Sequence, residues 1–183
     1  MDIARPVTYP VSEGTRLRLP WATRVRWLDT NPERVLELLE LLKDDPTPLV
    51  RRSVANNLND LGKVHPALLA QTCGTWLEDA SAERRALVEH ALRSAVKRGD
   101  PGALRLLGYG KKAALRIEGV RMAPARVAIG GRVAVHFVVA STSRSKQELL
   151  VDLGVHSVKA GGKSARKVFK VKRLVLSAGE KSL

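Results

Sequence analysis

The sequence predicts two domains in series, a helical one followed by an incomplete antiparallel β-sandwich, so the fold class is multidomain α then β. Apolar residues recur at a period near 3.6 from about Pro20 to Leu107. The period falls to 2 after Gly108-Tyr109-Gly110, and the short runs that follow are punctuated by Gly-Gly and Ser-Thr-Ser. These observations put a helical domain at residues 1–110, with 1–12 irregular, and the sandwich at residues 111–183.

Each helix has its own signals. Val35, Leu38, Leu39 and Leu42 form one stripe behind Asn31-Pro32-Glu33, where Asn31 can cap and Pro32 suits the first helical position. Val50, Val54, Leu58 and Leu61 form a second, entered through Asp45-Pro46-Thr47-Pro48 and stopped at Gly62. Leu68, Leu69, Trp76 and Leu77 make a third. A fourth opens at Ser81, carries Leu87 or Val88 with Ala91, Leu92 and Ala95, and ends at Gly99-Asp100-Pro101. Met1 to Pro10 holds two prolines and shows no stripe. Shifting the second stripe by about 34 residues lays Asp45 on Asp79, Val54 on Val88 and Leu58 on Leu92, a spacing found in α-solenoids such as HEAT arrays. Periodicity alone fits a solenoid fragment or a plain helical bundle equally well.

In the second half, Val133, Val135, Phe137 and Val139 alternate with Arg132, Ala134, His136 and Val138. Val168, Phe169, Val171 and Leu174 follow the turn Ala160-Gly161-Gly162-Lys163. About five strands are legible where an immunoglobulin-type sandwich has roughly seven. A sandwich short of strands leaves backbone groups unpaired and one face open, and such an edge invites strand addition.

Composition narrows the partner. The 183 residues are 44% apolar, enough for a core, and 32 lysines and arginines against 18 acids give a net charge of +14. The pI is near 10.6, so a polyanion is the expected partner. No apolar run approaches the ~20 residues that span a bilayer, and the first residues lack a signal-peptide core. No membrane partner and a cytoplasmic location are therefore expected. A single cysteine, Cys73, precludes an internal disulfide; it reads as a buried small apolar residue. The four scattered histidines show no metal spacing, so neither metal nor cofactor is expected.

The richest segment runs from Leu49 to Lys63. With Val50, Val54, Leu58 and Leu61 inward, helical rotation sets Arg52, Asn56, Asn59 and Lys63 in an outward row. Cations and amides at one-turn intervals can meet successive phosphates, the alternative being a solvated polar face. Asparagine is a poor helix former, so three of them in four positions argue for a task. From Ser141 onward ten lysines and arginines face three acids, and Lys159, Lys163, Lys170 and Lys172 are candidates for further phosphate contacts.

The stretch Val50-Arg51-Arg52-Ser53-Val54-Ala55-Asn56-Asn57-Leu58-Asn59-Asp60, continuing through Lys63 to His65-Pro66, resembles the signature helix of the AlkC branch of the AlkC/AlkD DNA alkylation-repair glycosylases. Ser12-Glu13-Gly14-Thr15-Arg16-Leu17-Arg18-Leu19-Pro20-Trp21-Ala22 is similar to a second stretch of that branch. Val151 to Ala160 and Lys167 to Leu174 resemble its immunoglobulin-like domain. Leu17 stands where the pattern has proline and Val64 where it has an acid.

The resemblance implies a HEAT-like array whose basic concave surface holds duplex DNA, and hydrolysis of the bond between deoxyribose and a cationic alkylated base such as 3-methyladenine or 3-methylcytosine. Such a base is already a good leaving group, so a carboxylate to stabilise the sugar cation or position water is the main requirement. Glu13 and Asp60 are the matching carboxylates, and Trp21 and Trp27 the rings that could add about 1–2 kcal/mol of cation–π attraction. Arg16, Arg18, Arg51, Arg52, Asn56, Asn59 and Lys63 would contact DNA. Asp60 lies slightly off the outward row, so it either faces DNA or holds a neighbouring arginine. Glu13 could equally be a helix-start residue and Trp21 a core plug. The family carries further helices ahead of Ser12 and further strands at the end, so on this likeness the chain reads as truncated at both ends, by nature or by frameshift. That leaves two other readings open, a catalytically inactive DNA-binding remnant and a protein-interaction scaffold. A monomer is expected unless the open sandwich edge pairs.

Overall fold

The computed structural model describes residues 5–19, 23–109 and 113–182, the first four helical positions by backbone only. The chain divides into two compact units, Met1–Gly110 and Lys111–Leu183. Among the described residues the first is wholly helical and the second wholly β.

Helices α1 (Arg5–Gly14), α2 (Arg26–Thr30), α3 (Pro32–Leu42), α4 (Pro48–Leu61), α5 (Pro66–Leu77), α6 (Ala82–Arg98) and α7 (Pro101–Leu106) follow in order. Proline occupies the first turn of α3, α4, α5 and α7, where its missing N–H costs nothing. The 34-residue shift extends to whole helices. It carries α3 onto α5 and α4 onto α6, and superposes buried on buried: Val35 on Leu69, Leu39 on Cys73, Val54 on Val88, Leu58 on Leu92. Four of the seven described helices, α3 to α6, thus form two copies of one helix pair, with α4 and α6 sharing the most extensive helix–helix contact.

Three local expectations are corrected. Residues 1–12 were expected to be irregular, but α1 begins at Arg5. Among the described side chains its end meets α4 through polar contacts: Asn57 Nδ2 donates to Ser12 O at 2.9 Å and, just past the helix, to Thr15 Oγ1 at 3.1 Å, residues with no hydropathy signal. Asn31 does not cap α3; its Nδ2 donates back to Trp27 O at 2.9 Å and so closes α2. Leu68 and Leu77 lie at the margin of α5, whose buried stripe is Leu69, Cys73 and Trp76.

Other signals act as read. Ser81 Oγ accepts from Arg84 N at 3.2 Å at the start of α6. Gly99 ends that helix in the left-handed region, at φ 77°. Gly62 follows α4 for a different reason, since a Cβ there would overlap the Leu69 side chain of α5.

The β unit has two sheets. Strands β1 (Leu115–Ala123), β2 (Ala134–Ser141) and β5 (Lys181–Ser182) form one, in the order β1-β2-β5. Strands β3 (Gln147–Val158) and β4 (Ser164–Leu176) form the other, an antiparallel hairpin. Val139 from the first sheet packs on Leu149 and Leu176 from the second, flanked by Leu115, Phe137 and Leu174. Beyond this small core Leu153, Val155, Phe169 and Val171 are exposed on the hairpin.

Candidate nucleic-acid interface

On α4 the apolar stripe is sealed, and the side that the sequence assigns to solvent divides. Arg52 and Lys63 are exposed, and Arg52 makes no hydrogen bond or ion pair among the described residues. Asn59 is corrected: it is buried, and its Oδ1 accepts from Ser94 N of α6 at 3.3 Å. Asn56 is half-buried and also turns to α6, its Oδ1 accepting from Arg93 and His90. The reason is common to both. A helix flanked by a partner on one side and a second helix pair on the other has less free surface than a period of 3.6 suggests.

Arg16 is the centre of the site. Its Nη1 donates to Glu13 Oε2 at 2.9 Å, while Nε and Nη2 donate to Asp60 Oδ2 at 2.9 and 2.7 Å. Asp60 Oδ1 accepts from Lys63 Nζ at 2.6 Å, and Glu13 Oε1 accepts from Ser53 Oγ at 2.8 Å. Ser53 has one hydroxyl proton, so the 2.9 Å contact between Ser12 and Ser53 has Ser12 as donor. Burial opposes the Arg16 charge, yet the bonds to Glu13 and Asp60 outweigh it and raise the guanidinium above its ordinary pKa.

This network engages two of the expected phosphate contacts. Arg16, expected to meet phosphate, is occupied by two carboxylates and its side chain is only 14% exposed. Lys63 reaches solvent at 31% exposure, with its ammonium also bound to Asp60. The carboxylates differ in access, Glu13 at 22% and Asp60 at 2%. Of the alternatives open for Asp60, the geometry matches the one in which it holds a neighbouring arginine.

The remaining candidates are placed as follows. Arg18 is exposed. Arg51 Nη1 donates to Asp45 O at 2.6 Å, closing the loop before α4. Trp27 stands 57% exposed on α2, while Trp21 lies outside the described residues. Cys73 is buried, and burial pushes its thiol up to about 12. Among the described residues no three His, Cys, Asp or Glu side chains are grouped to hold a metal. No described helix is long and apolar enough to cross a membrane.

In the β unit Lys159 and Lys163 bracket the β3–β4 turn, where Lys159 N donates to Lys163 O at 2.9 Å, and both are exposed. Lys170 and Lys172 are both candidate phosphate contacts. A register shift separates them: Val151 faces Lys172 while Asp152 faces Lys170. Paired residues share a face and neighbours alternate, so the two lysines lie on opposite faces of the hairpin. Lys172 borders the cavity that Phe137, Val151 and Leu174 line.

What the sequence reading missed is the contribution of α6. Shifting Arg52, Asn56, Asn59 and Lys63 by 34 residues gives Ala86, His90, Arg93 and Lys97, so the signal was present in the repeat.

Residues 116–183 match the family model described as "Uncharacterised protein YhaZ, C-terminal Ig-like domain". The chain is 36% identical over 160 residues to the uncharacterized protein YhaZ of Bacillus subtilis (strain 168), covering 87% of this chain and 44% of that one. It superposes over its full length on 50% of the Pseudomonas fluorescens alkylpurine DNA glycosylase AlkC, solved bound to DNA containing an abasic site analog, with a TM-score of 0.93 and 38% identity. The chain thus spans about half the length of the relatives it matches. In sequence and in fold, over its whole length, this chain is similar to the alkylpurine DNA glycosylase AlkC, and its second unit to the Ig-like domain of YhaZ.

Proposed function

We propose that this chain acts in DNA alkylation repair, holding duplex DNA and presenting a carboxylate for excision of a cationic alkylated base. The observation that carries this reading is the Glu13–Arg16–Asp60 bridge, which joins α1 to α4 beside the exposed Arg52. Glu13 is the catalytic candidate because it keeps solvent access; Asp60 is a positioning residue that acts through Arg16.

The chemistry asks little more. As the glycosidic bond breaks, its electron pair neutralises the alkylated base, and positive charge grows on the sugar. A nearby carboxylate stabilises that charge and orients water, whose oxygen bonds to C1′ while its proton passes to the carboxylate. Arg16 holds Glu13 in place. Trp27, if it meets the lesion, adds cation–π attraction of about 1–2 kcal/mol. The substrates that this reading favours are 3-methyladenine and 3-methylcytosine in duplex DNA, and a HEAT-like stacking of the helix pairs would supply the surface.

The test is release of 3-methyladenine from methylated duplex by the purified chain. Release above that of heat-killed protein, lost in Glu13→Gln with unchanged DNA affinity, is the expected result. Arg52→Ala should weaken binding to all sequences alike and lower the salt slope. No release with intact, salt-dependent binding would favour the second reading, a DNA-binding protein without catalysis. That reading draws on one observation: every carboxylate oxygen of Glu13 and Asp60 already accepts a hydrogen bond within the protein.

A further inference from the structure

Arg93, in the middle of α6, is held in an unusual way. Its Nη1 donates to His90 O at 2.6 Å and its Nη2 to Asn56 Oδ1 at 2.9 Å, both neutral acceptors. Arginine only donates, so the Asn56 amide must turn its oxygen to α6; the 3.0 Å contact of that oxygen with His90 Nε2 then requires a proton on the ring nitrogen. Two helices therefore cooperate to fix one guanidinium.

Its electrostatics are unfavourable without a further anion. Burial lowers the Arg93 pKa, Asp60 opposes that, and the fields of Arg52 and Arg16 lower it again. Asp60 is already bonded to Arg16 and Lys63, so its charge is shared. No ion pair joins Arg93 to a carboxylate among the described residues. A half-buried cation beside two others, held by carbonyl oxygens and still partly open to solvent, is a poor stabilising device and a good anion ligand.

The repeat supplies an independent argument. Arg93 takes in the second helix pair the place that Asn59 takes in the first, and Lys97, exposed, takes that of Lys63. The first row has its cations at the ends and the second at its middle and end.

We propose that Arg93 is a backbone-phosphate ligand of the duplex, positioned by Asn56, so that the phosphate-binding face crosses from α4 to α6. Asn56 serves the contact through Arg93 and not by its own amide. The proposal rests on the duplex-binding reading above.

The test is a titration of a labelled mixed-sequence duplex with the full chain at several salt concentrations. Arg93→Gln should reduce the log–log salt slope by about 0.9, the loss of one neutralised phosphate, as should Arg52→Ala. Arg93→Lys should keep the slope. Arg34→Gln on α3, whose arginine pairs with Glu37, should leave it unchanged. Asn56→Ala should weaken binding in the parent chain and have no effect in Arg93→Gln, the non-additivity that a purely structural role lacks. A normal slope in Arg93→Gln while Arg52→Ala loses its share overturns this proposal alone. A parent chain that does not bind, or binds with no salt dependence, overturns the duplex reading and this one together. Should Arg93→Gln not fold, Asn56→Ala decides: unchanged affinity refutes the proposal.

Discussion

Arg16 and Asp60 lie 44 positions apart in the chain and are joined by two hydrogen bonds, from Nε at 2.9 Å and Nη2 at 2.7 Å, to one carboxylate oxygen. The bond ties the segment after α1 to the last turn of α4. The same guanidinium also bonds Glu13, so the contact links Asp60 to the candidate carboxylate.

Removing one partner should therefore be costly. Asp60→Ala leaves Arg16 and Lys63 facing an empty, largely dry site, and breaking such a pair costs about 3–5 kcal/mol. Chemical denaturation of the parent and variant measures it. The double variant Arg16→Met with Asp60→Leu should recover part of the loss, because the two least exposed charges go together and only Glu13 and Lys63, both with solvent access, lose a partner. A single variant within 1 kcal/mol of the parent, on the order of a surface ion pair, would assign the bridge no structural weight.

Gly62 gives a steric prediction. A methyl group at this position would sit 2.9 Å from Leu69 Cβ and closer still to its Cδ2, so α5 must move away from the end of α4. Gly62→Ala should destabilise by about 1–3 kcal/mol, the usual range for overpacking, despite the helix-favouring nature of alanine. Pairing it with Leu69→Ala should relieve the overlap, and thermal melting of the four proteins reads out the coupling. Additive losses would show that the two residues do not meet.

Why some of this was legible and some was not follows from the kind of contact. The stripes of α3, α4 and α6 are apolar and sealed, so their period betrays them; Val54, Leu58, Val88 and Leu92 are buried as the spacing requires. Among the described side chains, the end of α1 meets α4 through Ser12, Thr15, Ser53 and Asn57, residues with no hydropathy signal, so the sequence did not announce it. The outward row on α4 was right at Arg52 and Lys63 and wrong at Asn59, because one helix's period does not reveal which flank a second pair will cover. The bulge that parts Lys170 from Lys172 left no mark either, since alternation is broken by a single residue among charged neighbours.

The repeat predicts an energetic symmetry. Leu58 and Leu92 are both fully buried at equivalent places in α4 and α6, the helices with the most extensive mutual contact. Leu58→Ala and Leu92→Ala should each cost about 2–5 kcal/mol. Neighbours in one core are not independent, so the double variant should depart from the sum by more than ~0.5 kcal/mol. Urea denaturation gives all three values; a sum obeyed within error would place the two leucines in separate cores.

Cys73 allows the pH dependence to be worked out with its sign. The thiol is buried and its pKa is raised from 9.0 to about 12, so the folded protein keeps it protonated where the unfolded chain would ionise. A raised pKa contributes stability that is fully present below 9.0 and is lost as pH climbs towards 12. Other groups titrate in the same interval, so the informative quantity is the difference between the parent and Cys73→Ala. The parent should lose stability more steeply than the variant above pH 9, and the two should run parallel below it. The same burial makes native Cys73 inert to a thiol reagent near neutral pH, with full reaction after unfolding in denaturant. Rapid labelling of the native protein would mean that α5 opens locally, and parallel alkaline profiles would deny the thiol its buried, protonated state.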